Sequence, residues 1–306
     1  MKILVIGATG ALGRPVVQGL LAQGTPGLEV RAASRHPGRA ADLQALGAEV
    51  VAADLTDRAS LEHACAGVQR LFTAAHGMLG RGRWKSENVD VEGHGVLFEV
   101  ARAAGVERIV HTSAFGARTD HPLDFFRHKA AAERALEASG IEHVILRPTA
   151  FMEHHVHAFN GQAVLDRGKA RLIGAGRKPR NFVSAADVAR FALRALLEDP
   201  PPFRSLDIGS PGHYSNAEVA ALYARLAGVE ARASHLPVGL ARFLAALAAP
   251  LHPGVARVLR LLSLPDDAFD ERFDGAAALT ADHGLPLTSV PEFVQAQVAQ
   301  HQGARG

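Results

Sequence analysis

The sequence predicts a doubly wound α/β fold with a parallel central sheet, joined to a smaller, mainly helical C-terminal domain. Three observations carry that prediction. Short β-rich runs alternate with helical patterns over the first 150 residues. The first run ends in a glycine-rich turn that opens a helix. After Pro148 the alternation stops, and Ala- and Leu-rich helical patterns dominate. Strands that alternate with helices imply right-handed crossovers, and these make neighbouring strands parallel.

The elements follow in order. Ile3 to Ile6 is an apolar strand, and Ala11 to Gln23 has helical spacing. Glu29 to Ser34 is a second strand, Ala40 to Leu46 a helix, and Ala48 to Ala53 a third strand. Asp57 is placed to cap a helix running to Ala66. Arg70 to Ala74 is a fourth strand. A long helix covers Ser86 to Ala104, with Val89, Val96, Leu97, Val100 and Ala104 on one face, and Gly105 ends it. Arg108 to Ser113 is a fifth strand, Phe125 to Ser139 a helix, and His143 to Leu146 a sixth strand. Beyond Pro148, Phe182 to Asp187 leads into a helix from Val188 to Leu197. Pro200 to Pro202 stops it, and Ser205 to Ile208 is a further strand. The expected division is a sheet domain over 1–150, with 181–210 returning to it, and a second domain from 151–180 and 211–306.

Composition narrows the classes of function. Hydrophobic residues make up 48% and charged residues 21% of 306, an ordinary balance for a soluble globular protein. A net charge of +2 offers no overall attraction to nucleic acid. The local basic cluster Arg167, Lys169, Arg171, Arg177, Lys178 and Arg180 has no aromatic residues interleaved, so it reads first as solvated surface. Cys65 is the only cysteine, which excludes an internal disulfide and any cysteine-based zinc site. It fits a reducing compartment, and a cytoplasmic location is expected. The most apolar stretch, Leu236 to Leu264, is broken by Pro237, Arg242, Pro250, His252, Pro253, Arg257 and Arg260. It is too interrupted to cross a bilayer. A pair of packed helices is preferred over a helix lying on a membrane surface.

The glycine-rich turn is Gly7-Ala8-Thr9-Gly10-Ala11-Leu12-Gly13. Between a strand and a helix, this pattern suits a dinucleotide pyrophosphate. Gly7 permits the tight turn, Gly10 the close approach of phosphate, and Gly13 the packing of helix on sheet. The helix N-terminus adds a favourable dipole. Gly7, Thr9, Gly10, Ala11, Leu12 and Gly13 are therefore candidate cofactor contacts in a Rossmann domain. The end of the second strand reads Ser34-Arg35-His36, with no acid from 30 to 41. An acid there would select NAD; Ser34 and Arg35 suit a 2′-phosphate, so NADP is preferred and NAD remains possible. Arg35 as a plain solvated loop residue is the alternative. Asp54-Leu55 follows the third strand, where Asp54 is placed to accept from the adenine amino group or to cap the next helix.

Several segments occur in a familiar order: the turn at Gly7 to Gly13, Asp54 to Asp57, Gly105 to Val110, His128 to Glu133, and Leu146 to Met152. Phe182 to Ala189 and Tyr214 to Ala220 continue it. Together they resemble the atypical short-chain dehydrogenase/reductases, particularly the NmrA-like branch, over residues 1–225. The resemblance implies that Lys129 orients the nicotinamide ribose and that Ser113 polarises an acceptor carbonyl. It further implies that Ala74 and Ala75 pass near the cofactor and that Pro148 and Phe151 lie beside the nicotinamide. Ordinary members carry Tyr-x-x-x-Lys on one helix face. Here Phe125 stands four residues before Lys129, and the two tyrosines, Tyr214 and Tyr223, lie far along the chain. By resemblance, the NmrA-like branch tolerates this loss and contains quinone reductases as well as silent redox sensors. The expected function is NADPH-dependent hydride transfer to a quinone-like or conjugated carbonyl acceptor. The alternative is a non-catalytic NADP(H)-binding regulator or assembly factor. A sugar-nucleotide epimerase is disfavoured, because that chemistry relies on the missing tyrosine.

Sixteen histidines raise the question of a metal. His154 and His157 have helical ligand spacing, but only Glu153 lies nearby, and no metal is expected. His76 and His154 are candidate proton donors. His128 adjoins Lys129 but should point about 100° away around the helix.

Overall fold

A computed structural model describes residues 1–264 and 270–304. The β-rich runs form the expected strands because their apolar residues alternate or run continuously over four to six positions, with glycine or polar residues at the ends. The strands are β1 (Lys2–Ile6), β2 (Glu29–Ser34), β3 (Glu49–Ala52), β4 (Arg70–Thr73), β5 (Arg108–Thr112), β6 (Glu142–Pro148), β7 (Ala150–Phe151), β8 (Lys169–Ile173), β9 (Phe182–Val183), β10 (Ser205–Ile208) and β11 (Arg232–Leu236). The helices are α1 (Gly13–Ala22), α2 (Ala41–Ala45), α3 (Arg58–Cys65), α4 (His94–Ala103), α5 (Asp124–Ala138), α6 (Gln162–Arg167), α7 (Ala185–Leu197), α8 (Asn216–Ala227), α9 (Val238–Ala248), α10 (Pro253–Leu262), α11 (Ala276–His283) and α12 (Val290–Gly303).

The central sheet is seven-stranded and parallel, in the order β10-β6-β5-β4-β1-β2-β3. From β3 to β6 this is the Rossmann order, and its switch point lies between β1 and β4. Both neighbours of β1 run parallel to it, with Ile6 opposite Ala33 and Thr73. Ligands of such sheets bind beyond the carboxyl ends of the strands at that point.

The chain divides into two compact units. The first contains Met1–Arg147, Val188–Asp207 and His252–Gly254; the second contains the remainder of the described chain. The segment that returns to the first unit is thus 188–207, where sequence alone suggested 181–210. In the first unit, Leu4, Ile6, Leu71 and Ile109 of the sheet pack with Leu61, Leu97 and Phe98 from helices. Two buried arginines pin the end of the returning helix α7. Arg108 donates to the carbonyls of Ala195 and Glu198, and Arg70 to that of Leu196. Those carbonyls end a helix and have no partner further along it. In the second unit, Met152, Val156, Phe182, Tyr223, Phe293 and Val294 form the core. Ser215 and Ser289 cap α8 and α12, each with a glutamate three residues on.

Three local expectations change. The helix predicted over Ser86 to Ala104 starts with π-helical turns at Glu87–Gly93 and becomes α-helical only at His94. A second π-helical stretch, Glu153–Gly161, stands where sequence left the region without an element. Strands β8 and β11 pair parallel in a two-stranded sheet within a region expected to be mainly helical. β11 is largely exposed and carries no half-buried pattern, whereas β8 does alternate, with Ala170 and Leu172 buried and Lys169 and Arg171 exposed, a signal hidden by reading its basic residues as solvated surface.

Candidate functional site

The glycine-rich turn lies against the loop that follows β4. Gly7 has φ +82°, a left-handed conformation that favours glycine, and a Cβ there would lie 3.1 Å from the Ala75 amide nitrogen. Gly13 starts α1 where the helix crosses close over the turn; a Cβ there would collide with the Gly7 carbonyl and lie 2.9 Å from the Ala8 Cα. Gly10 is exposed and donates its N–H to the Gly7 carbonyl. The surface at the switch point is therefore bare backbone, the kind of cradle that a pyrophosphate requires. Thr9 and Ala11 are half-buried beside it, whereas the Leu12 side chain turns into the core.

At the end of β2, the Ser34 hydroxyl lies 3.1 Å from the Thr9 hydroxyl and accepts the His36 N–H. Arg35 is exposed, and its guanidinium stacks on Trp84, 5.5 Å from the ring centre. Arg83 stacks on the same ring at 5.1 Å. Asp54 does not cap the next helix. Asp57 does so, accepting from the Ala59 and Ser60 N–H groups. Asp54 instead accepts from Thr56, Arg83 and the Trp84 indole, and these partners hold its carboxyl below its ordinary range against the opposing effect of burial. Leu55, expected at the cofactor, sends its side chain into the core. Sequence reasoning missed Trp84, the chain's single tryptophan, which joins Arg35, Arg83 and Asp54 into one cluster.

Lys129 lies one turn after Phe125 on the buried face of α5. Its ammonium donates to the Thr112 carbonyl at 3.1 Å and lies 5.9 Å from the Phe125 ring centre. Ser113 follows β5; its hydroxyl is buried and has no hydrogen-bond partner among the described residues. A buried unpaired hydroxyl costs stability unless a ligand engages it. Phe125 packs edge-on against Phe126 and His76, and offers no proton.

The residue that sequence reasoning missed here is Asp90. It is 0% exposed and lies 3.4 Å from the Lys129 ammonium, which is itself 3% exposed. Asp90 also accepts from the Gly77 N–H at 3.0 Å and the Ser86 hydroxyl at 2.6 Å. Burial alone would raise its pKa; the Lys129 ammonium foremost, with His76 and the Ser86 bond, outweighs this and holds it low. The Ser86 hydroxyl lies 3.0 Å from His128 Nδ1, so His128, set aside because it points away from Lys129, is tied to it through two intervening side chains. The available signal was an acid interrupting the apolar face that includes Val89, Leu97 and Val100.

His94 forms a second buried group, with Nε2 3.2 Å from the Thr73 hydroxyl and Nδ1 2.9 Å from the Val89 carbonyl. Burial lowers its pKa from 6.5 to about 4, and Lys129 adds to the effect. His111, with its ring 4.9 Å from that of His94, is lowered further by burial. Both are neutral when folded, while the unfolded chain takes up a proton below about pH 6.5. Stability is then complete above that value and falls as the pH drops toward 4. His94 accounts for about 2 kcal/mol of this loss at pH 5. Urea melts at pH 7 and pH 5 are expected to show the loss in the native protein and a smaller one in His94→Gln.

Pro148 ends β6, and Phe151 sits in β7, paired with Val183 of β9. Ala74 and Ala75 are half-buried after β4. Tyr223 is fully buried in the second unit and lies 3.1 Å from His157 Nδ1. Glu153, the acid adjoining the histidines in sequence, accepts the Ala185 N–H. Among the described residues no group of three or more His, Cys, Asp or Glu side chains is arranged to hold a metal. Arg180, from the basic cluster read as solvated, is buried and paired with Glu271.

Residues 7–199 match the model of a family described as NAD(P)H-binding. The chain belongs to that NAD(P)H-binding family. Its structural neighbours include NmrA-like and other atypical short-chain dehydrogenase/reductase-type reductases, as the resemblance in sequence implied, and also epimerases. It is 29% identical to Quinone oxidoreductase 2 of Escherichia coli over 297 residues, covering 95% of this chain and 97% of that protein. It is 28% identical to the Photosystem II assembly factor Ycf39 of Guillardia theta, covering 79% of this chain and 76% of that protein. The structure of an E. coli NADPH-dependent quinone oxidoreductase in complex with NADPH superposes with a TM-score of 0.74 at 26% identity, covering 97% and 99% of the two chains.

Proposed function

We propose that this protein is an NADPH-dependent oxidoreductase that reduces a quinone-like or conjugated carbonyl acceptor. The observation that carries the reading is the buried Lys129, bonded to the Thr112 carbonyl, with the hydroxyl of the next residue, Ser113, unpartnered among the described residues, at the carboxyl end of β5, the strand beside β4. The Gly7–Gly13 turn with Ala74 and Ala75 would hold the pyrophosphate side, and Ser34, Arg35 and Arg83 the 2′-phosphate. Bound NADPH supplies the hydride. Lys129 orients the ribose, and Ser113 donates to the acceptor oxygen as negative charge develops there. A quinone also needs a proton that Phe125 cannot give, and it tolerates one delivered through water. The second unit, read as the substrate domain, supports a small-molecule function: it holds a cavity of about 450 Å³ lined by Phe159, Leu172, Ile173 and Leu236 with His155 and Arg180. Relatives in the quinone oxidoreductase group agree with this reading.

The test is oxidation of NADPH by the purified protein with a panel of quinones and enones. Turnover that falls at least tenfold in Ser113→Ala is the expected result; no turnover with any acceptor would sink the proposal. Cofactor choice has its own check. A charge-assisted contact contributes about 1.5–3 kcal/mol, so Arg35→Ala is expected to weaken NADPH binding by about 10–100-fold and to leave NADH binding nearly unchanged. Titration calorimetry with both nucleotides reads this directly. A non-catalytic role is favoured by Phe125 in place of tyrosine and by the assembly-factor relative. It predicts NADPH binding without turnover and a protein partner whose affinity depends on the redox state of the nucleotide.

A further inference from the structure

The carboxylate of Asp54 is saturated. An ionised carboxylate offers about four lone-pair sites and donates nothing. Asp54 Oδ1 accepts the Thr56 N–H at 2.9 Å and the Thr56 hydroxyl at 2.8 Å. Its Oδ2 accepts Arg83 Nη2 and the Trp84 indole N–H, each at 2.9 Å. No lone pair is left for a further donor such as an adenine amino group. The acid instead fastens a loop. In the strand order β4-β1-β2-β3, the segment after β4 reaches past β1 to the ends of β2 and β3, and Trp84 attaches it there. That segment is folded tightly on itself: a Cβ at Gly80 would overlap the Trp84 carbonyl.

Trp84 in turn gathers two cations. Arg35 lies 5.5 Å and Arg83 5.1 Å from the centre of its ring, both within reach of a cation–π attraction. Two guanidiniums this close to one ring repel each other, and the ring and the Asp54 carboxylate offset that repulsion. Asp54 pairs with Arg83, whereas no carboxylate pairs with Arg35 among the described residues. The cluster therefore carries one positive charge in excess. Arg35 is exposed, and stacking engages the face of its guanidinium, which leaves the N–H edge open to an anion. A phosphate monoester, nearly dianionic at pH 7, gains from that charge and that edge; a neutral ribose hydroxyl does not.

We propose that Trp84 is the positioning residue that makes the site select NADPH over NADH. It orders the guanidiniums of Arg35 and Arg83 before the nucleotide arrives, and Asp54 acts by anchoring Trp84, not by binding adenine. Ordering long side chains during binding costs affinity, and a preformed pair avoids that cost. The inference rests on the proposed reading of the Gly7–Gly13 turn and Arg35 as an NADPH site. Its test is titration calorimetry of NADPH and NADH with the native protein and its variants, with no acceptor present. Trp84→Ala is expected to weaken NADPH binding about 5–50-fold and to leave NADH within about twofold. Retained NADH binding verifies that the fold persists. Trp84→Phe keeps a ring face and should recover most of the loss. Asp54→Asn should also weaken NADPH selectively. Adding Trp84→Ala to Arg35→Ala should cost much less than the product of the single effects, because one acts through the other. A merely structural role would weaken both nucleotides alike. The proposal is overturned if Trp84→Ala keeps the native preference for NADPH. It is overturned equally if Asp54→Asn weakens both nucleotides to the same extent, the signature of an adenine contact. A native protein that binds both nucleotides equally removes the phosphate reading of Arg35, and this inference with it. A native preference that survives Trp84→Ala removes this inference alone.

Discussion

Asp90→Ala is expected to lower the folding stability by about 3–5 kcal/mol. The Lys129 ammonium is almost fully enclosed, and Asp90, fully enclosed itself, is the carboxylate that faces it. Removing one partner of a buried pair leaves the other charge desolvated without compensation. The Gly77 N–H and the Ser86 hydroxyl lose their acceptor in the same step, which adds to the cost. The midpoint of urea unfolding, measured with NADPH absent, reads the effect. A shift worth less than about 1 kcal/mol would mean that the pair contributes little. The companion measurement is Asp90→Asn/Lys129→Met, which keeps an acceptor for Gly77 and removes both charges. It should recover most of the loss, because replacing a whole buried pair is far less costly than breaking it. The pair also has a positional reading: the Asp90 carboxylate holds the Lys129 ammonium toward the end of β5, where it donates to the Thr112 carbonyl.

Gly13→Ala is expected to raise the dissociation constant for NADPH by about 100-fold or more, equivalent to about 3 kcal/mol. The added methyl would collide with the Gly7 carbonyl and crowd the Ala8 Cα, both part of the backbone turn, so no flexible side chain can yield. Either α1 moves away from the sheet or the turn opens, and both distort the cradle meant for the pyrophosphate. Gly24→Ala tests the other limb of the argument: its Cβ would meet nothing within 4 Å, and only its φ of +59° penalises the change. That variant should bind NADPH normally and lose a little stability. Equal nucleotide binding by the Gly13 variant and the native protein would remove the turn from the site.

The sheet was legible because its information is local. Apolar runs such as Ile3–Ile6 and Ile109–Val110 are short and bounded by polar or glycine residues, and a parallel strand buried on both faces needs little more. The two π-helical stretches were not legible, because one residue added to a turn leaves the apolar spacing nearly unchanged. Asp57 as a helix cap could be read from position alone, whereas the expected alternative at Asp54 failed because Trp84, 30 residues away, takes that carboxylate. The 236–264 segment shows the same limit. Two helices were expected and two are present, α9 and α10, but the expectation that they bury their large residues fails for α9, where alanines point inward instead.

The sequence by itself determined the parallel sheet and the glycine turn at its switch point, because each depends on residues adjacent along the chain. Only the tertiary structure decided the state of the candidate site groups. The pairing of Lys129 with Asp90, the unpartnered Ser113 hydroxyl, the neutral His94 and the outward apolar stripe of α9 all depend on burial and on contacts between distant residues. Desolvation is a property of the folded surroundings, and residue spacing carries no record of it.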